Sequence, residues 1–136
     1  MTIHIEVIPH SAQRYETCGD WWVNGTTLEV RVSELGDTNM EHLVAIHETI
    51  EALGCIKEGI SEDGITTYDE AYENARKNHI PAPCGCYPTV DSEPGNDQHA
   101  PYRKWHQFAT HHEKKLAGYF HVDWKAYEEK INSLSQ

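Results

Sequence analysis

Residues 3–8, Ile-His-Ile-Glu-Val-Ile, alternate apolar and polar side chains, which is the period of a half-buried strand. Residues 20–23 (Asp-Trp-Trp-Val) and 26–33 (Thr-Thr-Leu-Glu-Val-Arg-Val-Ser) flank Asn24-Gly25. Asn-Gly supplies the positive φ angles that a two-residue hairpin turn needs, so these segments predict a hairpin. Trp21 and Trp22 are expected to place one ring on each face of their strand, as packing rather than as a platform for a ligand. The period then changes to that of a helix. Thr38 and Glu41 fit a capping box, and the first helix is expected to run to about Leu53 with Gly54 as its stop. A second is expected from about Glu62 or Thr66 to Asn78. A third spans about 101–119 with Pro101 in its first turn, and a fourth runs from Asp123, as N-cap, to about Ser133.

Between the second and third helices lies a loop at about 79–100. Five of the six prolines fall in 81–101. A structureless segment this long inside a compact domain is usually functional or mobile. No repeat or linker divides the chain. The pattern predicts a single α+β domain over 1–136, with a short N-terminal antiparallel sheet packed on three to four helices.

Composition narrows the function. The chain has 136 residues, 38% hydrophobic, which is enough for a core. Its net charge of −11 disfavours nucleic acid and anionic membrane alike. No apolar run approaches the roughly 18 residues of a membrane span. The start, Met-Thr-Ile-His-Ile-Glu, lacks the pattern of a signal peptide, so the expected location is the cytoplasm. In that reducing compartment Cys18, Cys55, Cys84 and Cys86 are expected as free thiols, with Cys84-Gly85-Cys86 a weak metal motif. Ten histidines, spread from His4 to His121, raise the prior for a transition metal.

The sharpest signal lies on the first helix. With Met40 at zero and about 100° per residue, Ile46, Ile50, Leu53, Leu43 and Val44 span an arc from about 220° to about 40°. His47 and Glu51, at about 340° and about 20°, fall inside it. An ionisable pair four residues apart is thus aimed at the core, where a carboxylate needs compensation. A divalent cation supplies it, because side chains at i and i+4 converge; a buried hydrogen-bonded pair is the alternative. Glu48, at about 80°, sits at the rim. The pattern His47-Glu48-x-x-Glu51 is HExxE, one ligand type away from the zinc-peptidase HExxH.

Zinc needs at least a third protein ligand. With Tyr102 at zero, the apolar arc of the third helix spans about 240° to 0°. His112 lies well inside it and is expected to be structural. His106 and Glu113 lie just past its edge, one above the other, where a ligand beside a cleft would sit. His106 is therefore the expected third ligand, and Glu113 either a ligand or the group that orients His106. Asp69 on the second helix is a further candidate, and Asp97 and His99 in the long loop are weaker ones. The loop 93–99 could close over the site.

Gly19-Asp20-Trp21-Trp22, Leu43–Leu53 with its HExxE, Glu93-Pro94-Gly95 and Ala100-Pro101-Tyr102-x-x-x-His106-Gln107-Phe108-Ala109 together resemble small uncharacterised proteins of bacteriophages and prophages, over most of the chain. That resemblance implies a phage origin and no particular substrate. Residues 20–55 also resemble a minimal zincin-type metallopeptidase. This second resemblance implies that His47 and Glu51 are ligands and Glu48 the general base. Glu51 stands where those peptidases have His, and its negative charge would make the metal a poorer Lewis acid.

These readings converge on one divalent metal, expected to be zinc, held by His47, Glu51 and His106. The expected function is a zinc-dependent hydrolase with Glu48 as catalytic base, acting on a peptide or small molecule. One alternative is a non-catalytic acidic phage protein with a structural metal that binds a host protein. Another is a magnesium- or manganese-dependent nucleotide pyrophosphohydrolase, from Glu48-x-x-Glu51 followed by Glu70-x-x-Glu73.

Overall fold

The computed structural model describes residues 1–89 and 92–134. Three strands, β1 (Thr2–Ile8), β2 (Gly19–Asn24) and β3 (Thr27–Ser33), are followed by four helices. These are α1 (Thr38–Glu58), α2 (Glu62–Asn78), α3 (Arg103–Tyr119) and α4 (Trp124–Ser133). The class is α+β, an N-terminal sheet packed against helices. No helix among the described residues is long and apolar enough to cross a membrane.

β2 and β3 form the antiparallel hairpin, Asn24 pairing with Thr27. The two turn residues are Gly25 and Thr26, one position later than the Asn-Gly reading. Of the two only Gly25 has a positive φ, at 63°, so a single left-handed residue at the first turn position makes the reversal. β1 corrects the expected antiparallel sheet to a mixed one, because it pairs in parallel with the far side of β3. β1 ends opposite Ser33 and β2 begins opposite Val32. Residues 9–18 therefore only pass over the end of β3, and no long crossover is needed. Ser33 N–H donates to Cys18 O and Glu34 N–H to Ile8 O, each at 2.8 Å, which fixes that passage.

Leu28, Val30 and Val32 of β3 and Trp21 of β2 face α1 and are buried. On the opposite face Trp22 lies under the guanidinium groups of Arg14 and Arg31, at 4.0 and 5.0 Å. The tandem tryptophans thus serve both faces, as the alternation requires. β1 is not covered in the same way. Ile3, Ile5 and Val7 share the face of Leu28, Val30 and Val32, yet are 45%, 45% and 40% exposed.

α1 is longer than its pattern predicts. Asp37, not Thr38, is the N-cap and accepts from Met40 N–H at 3.1 Å. Glu41 accepts from Leu35 N–H instead of closing a capping box. The stop is Gly59, with φ at 71°, and Gly54 lies inside the helix. Gly54 is there for close approach: a Cβ on it would sit 2.0 Å from the Trp105 ring of α3. α3 packs antiparallel to α1 across this point. The buried face of α1 is also turned from its expected arc. Val44, Ala45, Ala52 and Cys55 are buried, while Ile46 and Leu53 are exposed, because α1 is gripped by the sheet on one side and α3 on the other.

α2 begins at Glu62 behind the N-cap Ser61, and α3 begins two residues past the predicted 101. Asp123 caps α4 as expected, accepting from Ala126 N–H at 2.8 Å, and Tyr127 reaches from α4 into the core. The described part of the long loop is anchored rather than free. Ala82 packs on Tyr72 and Ala75 of α2, and Tyr72 Oη donates to Ser92 Oγ at 2.8 Å. Cys84 and Cys86 form a disulfide, against the expectation of four free thiols; Cys18 and Cys55 are free. Gly85, at φ 84°, turns the chain so that the two Cα atoms lie 5.4 Å apart, within disulfide range.

The Gly54–Trp105 contact carries a test. Gly54→Ala should destabilise the fold by about 1–3 kcal/mol through overpacking, although helix propensity alone would stabilise it by about 1 kcal/mol. Gly118 of α3 has open space around it, so Gly118→Ala should be neutral or stabilising. Denaturant midpoints of the two variants check this, and a more stable Gly54→Ala would refute the close-approach argument.

Candidate metal centre

α1 and α3 meet with small residues at their seam, which lets polar side chains from both helices converge beneath it. His47 and Glu51 come from α1 and His106 from α3, with relative exposures of 9%, 6% and 8%. His47 Nε2 lies 3.3 Å from Glu51 Oε2 and 3.2 Å from His106 Nδ1, and His106 Nδ1 lies 3.0 Å from Glu51 Oε2. Three donor atoms therefore form a closed triangle of nearly equal sides. Zinc bonds of about 2.0–2.2 Å in a tetrahedron place ligand atoms about 3.3–3.6 Å apart, only a few tenths of an ångström wider. Sequence spacing thus named three residues that the fold brings to one point, and together they could hold a metal ion.

The outer atoms of each residue are fixed by partners. His47 Nδ1 is 2.8 Å from Glu113 Oε1, and His106 Nε2 is 3.1 Å from Glu93 Oε2. An imidazole that donates from its outer nitrogen to a carboxylate presents a lone pair on its inner one. Both inner nitrogens face the triangle. Tyr127 Oη donates to Glu113 Oε2 at 2.5 Å, and Trp21 Nε1 donates to Glu51 Oε1 at 3.3 Å, leaving Glu51 Oε2 for the centre. Glu113 orients His47 and not, as expected, His106; that part is taken by Glu93.

Two glycines set the walls. A Cβ on Gly95 would lie 2.5 Å from the His106 ring, and one on Gly19 would lie 2.4 Å from Glu48 Oε1. The loop 93–97 does close over the site, and the start of β2 lies against Glu48. Asp69 is held by Tyr102 Oη at 2.5 Å and stands behind Tyr102, whose ring meets His106 edge-on. His112 meets Phe108 edge-on, away from the triangle, and His99 is exposed. Asp97 is buried elsewhere, beside Cys84 and Cys86.

Burial works to lower the pKa of His47, but its bonds to Glu113 and Glu51 outweigh it and hold the group well above an ordinary imidazole. His106 behaves alike: burial opposes, Glu51 and Glu93 prevail, and it is raised to about 9. Glu51, despite burial, is held low by His106 and His47. Glu48 moves the other way, pushed up by burial and then by the charge of Glu51. Burial likewise takes Asp69 up to about 7, against its bond from Tyr102. In the sequence Trp21 is expected as packing and Tyr127 is not singled out, since period and spacing do not report contacts between distant segments. Glu93 was visible only within a motif.

No protein-family model, curated protein or solved structure matches the chain, and the centre is read from its own geometry.

The raised histidines set a pH dependence. A proton on an inner nitrogen competes with the cation, and the raised proton affinity of His47 and His106 strengthens that competition. Because the pKa values are raised, competition is strongest at low pH and fades as pH rises through about 9. Zinc affinity should therefore increase steeply between about pH 6 and 9, and binding should release protons. Titration calorimetry in buffers of different ionisation enthalpy measures that release; affinity independent of pH would contradict the assignment.

Proposed function

We propose that the chain is a zinc-dependent hydrolase whose ion is held by His47, Glu51 and His106. The observation that carries this reading is the count of donors at the triangle. Among the described residues no fourth His, Cys, Asp or Glu joins the three. Three protein ligands and one free position is the arrangement of catalytic zinc, whereas structural zinc is usually closed by four. When bound, such an ion lowers the pKa of a water and polarises a carbonyl or phosphoryl oxygen.

The chain's own residues supply the rest. Glu48 is the proposed general base. It sits one residue from His47, half-buried against Gly19, with a pKa raised by burial. Pushed up to about 8, the carboxyl holds its proton at neutral pH without metal, and a cation bound beside it would favour the carboxylate that takes a proton from a water. Glu113 and Glu93 fix the imidazole rings and their tautomers, so that neither has to reorient on binding. Glu51 contributes its anionic oxygen and is kept from rotating by Trp21. On this reading the substrate is a peptide or small molecule, and a phage origin would put the protein in the cytoplasm of an infected bacterium.

Nucleotide hydrolysis by magnesium has less support. Two imidazole donors suit zinc better than a hard cation. Glu70 is exposed, and Glu73 faces Arg76 at 3.5 Å. One observation favours the non-catalytic reading, in which the metal is structural and the partner a host protein. All three ligands are under a tenth exposed, and Gly95 lies directly on His106.

Metal content by elemental analysis, on untagged protein kept from metal resins, is the first test. Wild type should hold close to one equivalent of zinc and His47→Ala very little. On a panel of peptide, ester and phosphoester substrates, Glu48→Gln should then keep its zinc and lose about 100-fold or more in turnover. Zinc without turnover on any substrate would favour the structural reading, and no zinc uptake even after reconstitution would overturn both.

A further inference from the structure

A second cluster of donors lies apart from the triangle, in the long loop. Cys84 and Cys86 sit on a tight turn closed by Gly85 N–H donating to Ala82 O and Ala82 N–H donating to Cys86 O, both at 2.7 Å. Ala82 is buried on α2, so the turn is fastened to the helix. Facing it is Asp97, at the end of the short 3-10 turn Pro94–Asn96. The donor atoms of Cys84, Cys86 and Asp97 lie within 4.8 Å of one another. They line one wall of a cleft of about 430 Å³ shared with Tyr72, Ser92 and Glu93.

Asp97 is the unexplained part. It is 8% exposed, its Oδ1 accepts from His99 N–H at 3.1 Å, and its Oδ2 is buried with no hydrogen-bond partner. The Tyr68 hydroxyl lies beside the carboxylate without completing a bond of normal geometry. A buried carboxylate oxygen left unpaired is costly, and native structures retain one where something else completes it. Besides that hydroxyl, the neighbours are two sulfur atoms. A carboxylate gains nothing from a disulfide, but it completes a cation already held by two thiolates.

We propose that Cys84, Cys86 and Asp97 form a second metal site, for a thiophilic divalent ion such as zinc or cadmium, that opens when the Cys84–Cys86 disulfide is reduced. A dithiol reductant gives the disulfide two electrons and two protons; the S–S bond breaks, two thiols form, and the reductant closes its own disulfide. The cation then binds both sulfurs as thiolates with release of those two protons. Cys86 N–H already points at Cys84 Sγ, at 3.3 Å, and this contact favours the anionic sulfur. Zinc–sulfur bonds of about 2.3 Å require sulfur atoms roughly 3.8 Å apart, a modest opening of the same turn. In the oxidised protein the sulfur pair is consumed and Asp97 alone holds no ion.

Cadmium titration of the full chain tests this, with and without a phosphine reductant, read by thiolate-to-cadmium absorption in the ultraviolet. Reduced wild type should develop the band and bind one cadmium more than the oxidised protein. The oxidised protein should show no band. Cys84→Ser and Cys86→Ser should each lower the saturating absorption and weaken binding, and Asp97→Asn should keep the band while losing tenfold or more in affinity. The band reads sulfur alone, so it is independent of whether His47, Glu51 and His106 bind metal. No band in reduced wild type, or full affinity in Asp97→Asn, would overturn the proposal.

Discussion

Ionisable groups buried between helices govern how this molecule is put together. Glu51 and Glu113 are almost fully enclosed where α1 meets α3. An isolated carboxylate in such a place is strongly disfavoured, so each must be matched. His47 stands between them, touching one with each ring nitrogen. Tyr127 of α4, Trp21 of β2 and Glu93 of the loop complete the matching, so the sheet, the last helix and the long loop each contribute a group. The two helices approach closely because Gly54, Ala109 and Ala117 occupy their contact faces. Larger residues there would separate the very atoms that must meet.

The partners differ in what they impose. The carboxylates of Glu113 and Glu93 select a tautomer, while Trp21 and Tyr127 restrict rotation. The walls at Gly19 and Gly95 are backbone, so they bring the main chain to the site without any side chain that could swing away. The result is a preorganised centre whose geometry is set before any ligand arrives, as both catalysis and tight metal binding require.

Much of this was legible in residue spacing, and the limits are instructive. His47 and Glu51 are four apart, and His106 lies just off an apolar arc; each of these can be read from one helix at a time. The arc itself was misplaced on α1. Hydrophobic period assumes one buried face, whereas α1 has two, and Ile46 and Leu53 end at the surface as a consequence. Gly54 looks like a stop because glycine in a helix usually is one; only the Trp105 ring explains its place. The parallel pairing of β1 depends on where residues 9–18 lead, which alternation cannot reveal. Glu113 could be assigned to the centre but not to the correct imidazole, since both candidates lie within reach of its helix face.

The three donors of the triangle are far apart along the chain: His106 is separated by 59 residues from His47 and by 55 from Glu51. No unfolded or half-folded chain presents them together. A cation that requires all three can recognise only the state in which α3 has docked on α1, and it thereby draws the population toward that state. The closure entropy of the intervening loop, with its five prolines and the Cys84–Cys86 turn, is spent before the ion can bind. An ion at the centre would then act on the folding equilibrium, favouring the completed helix pair over every intermediate that lacks it.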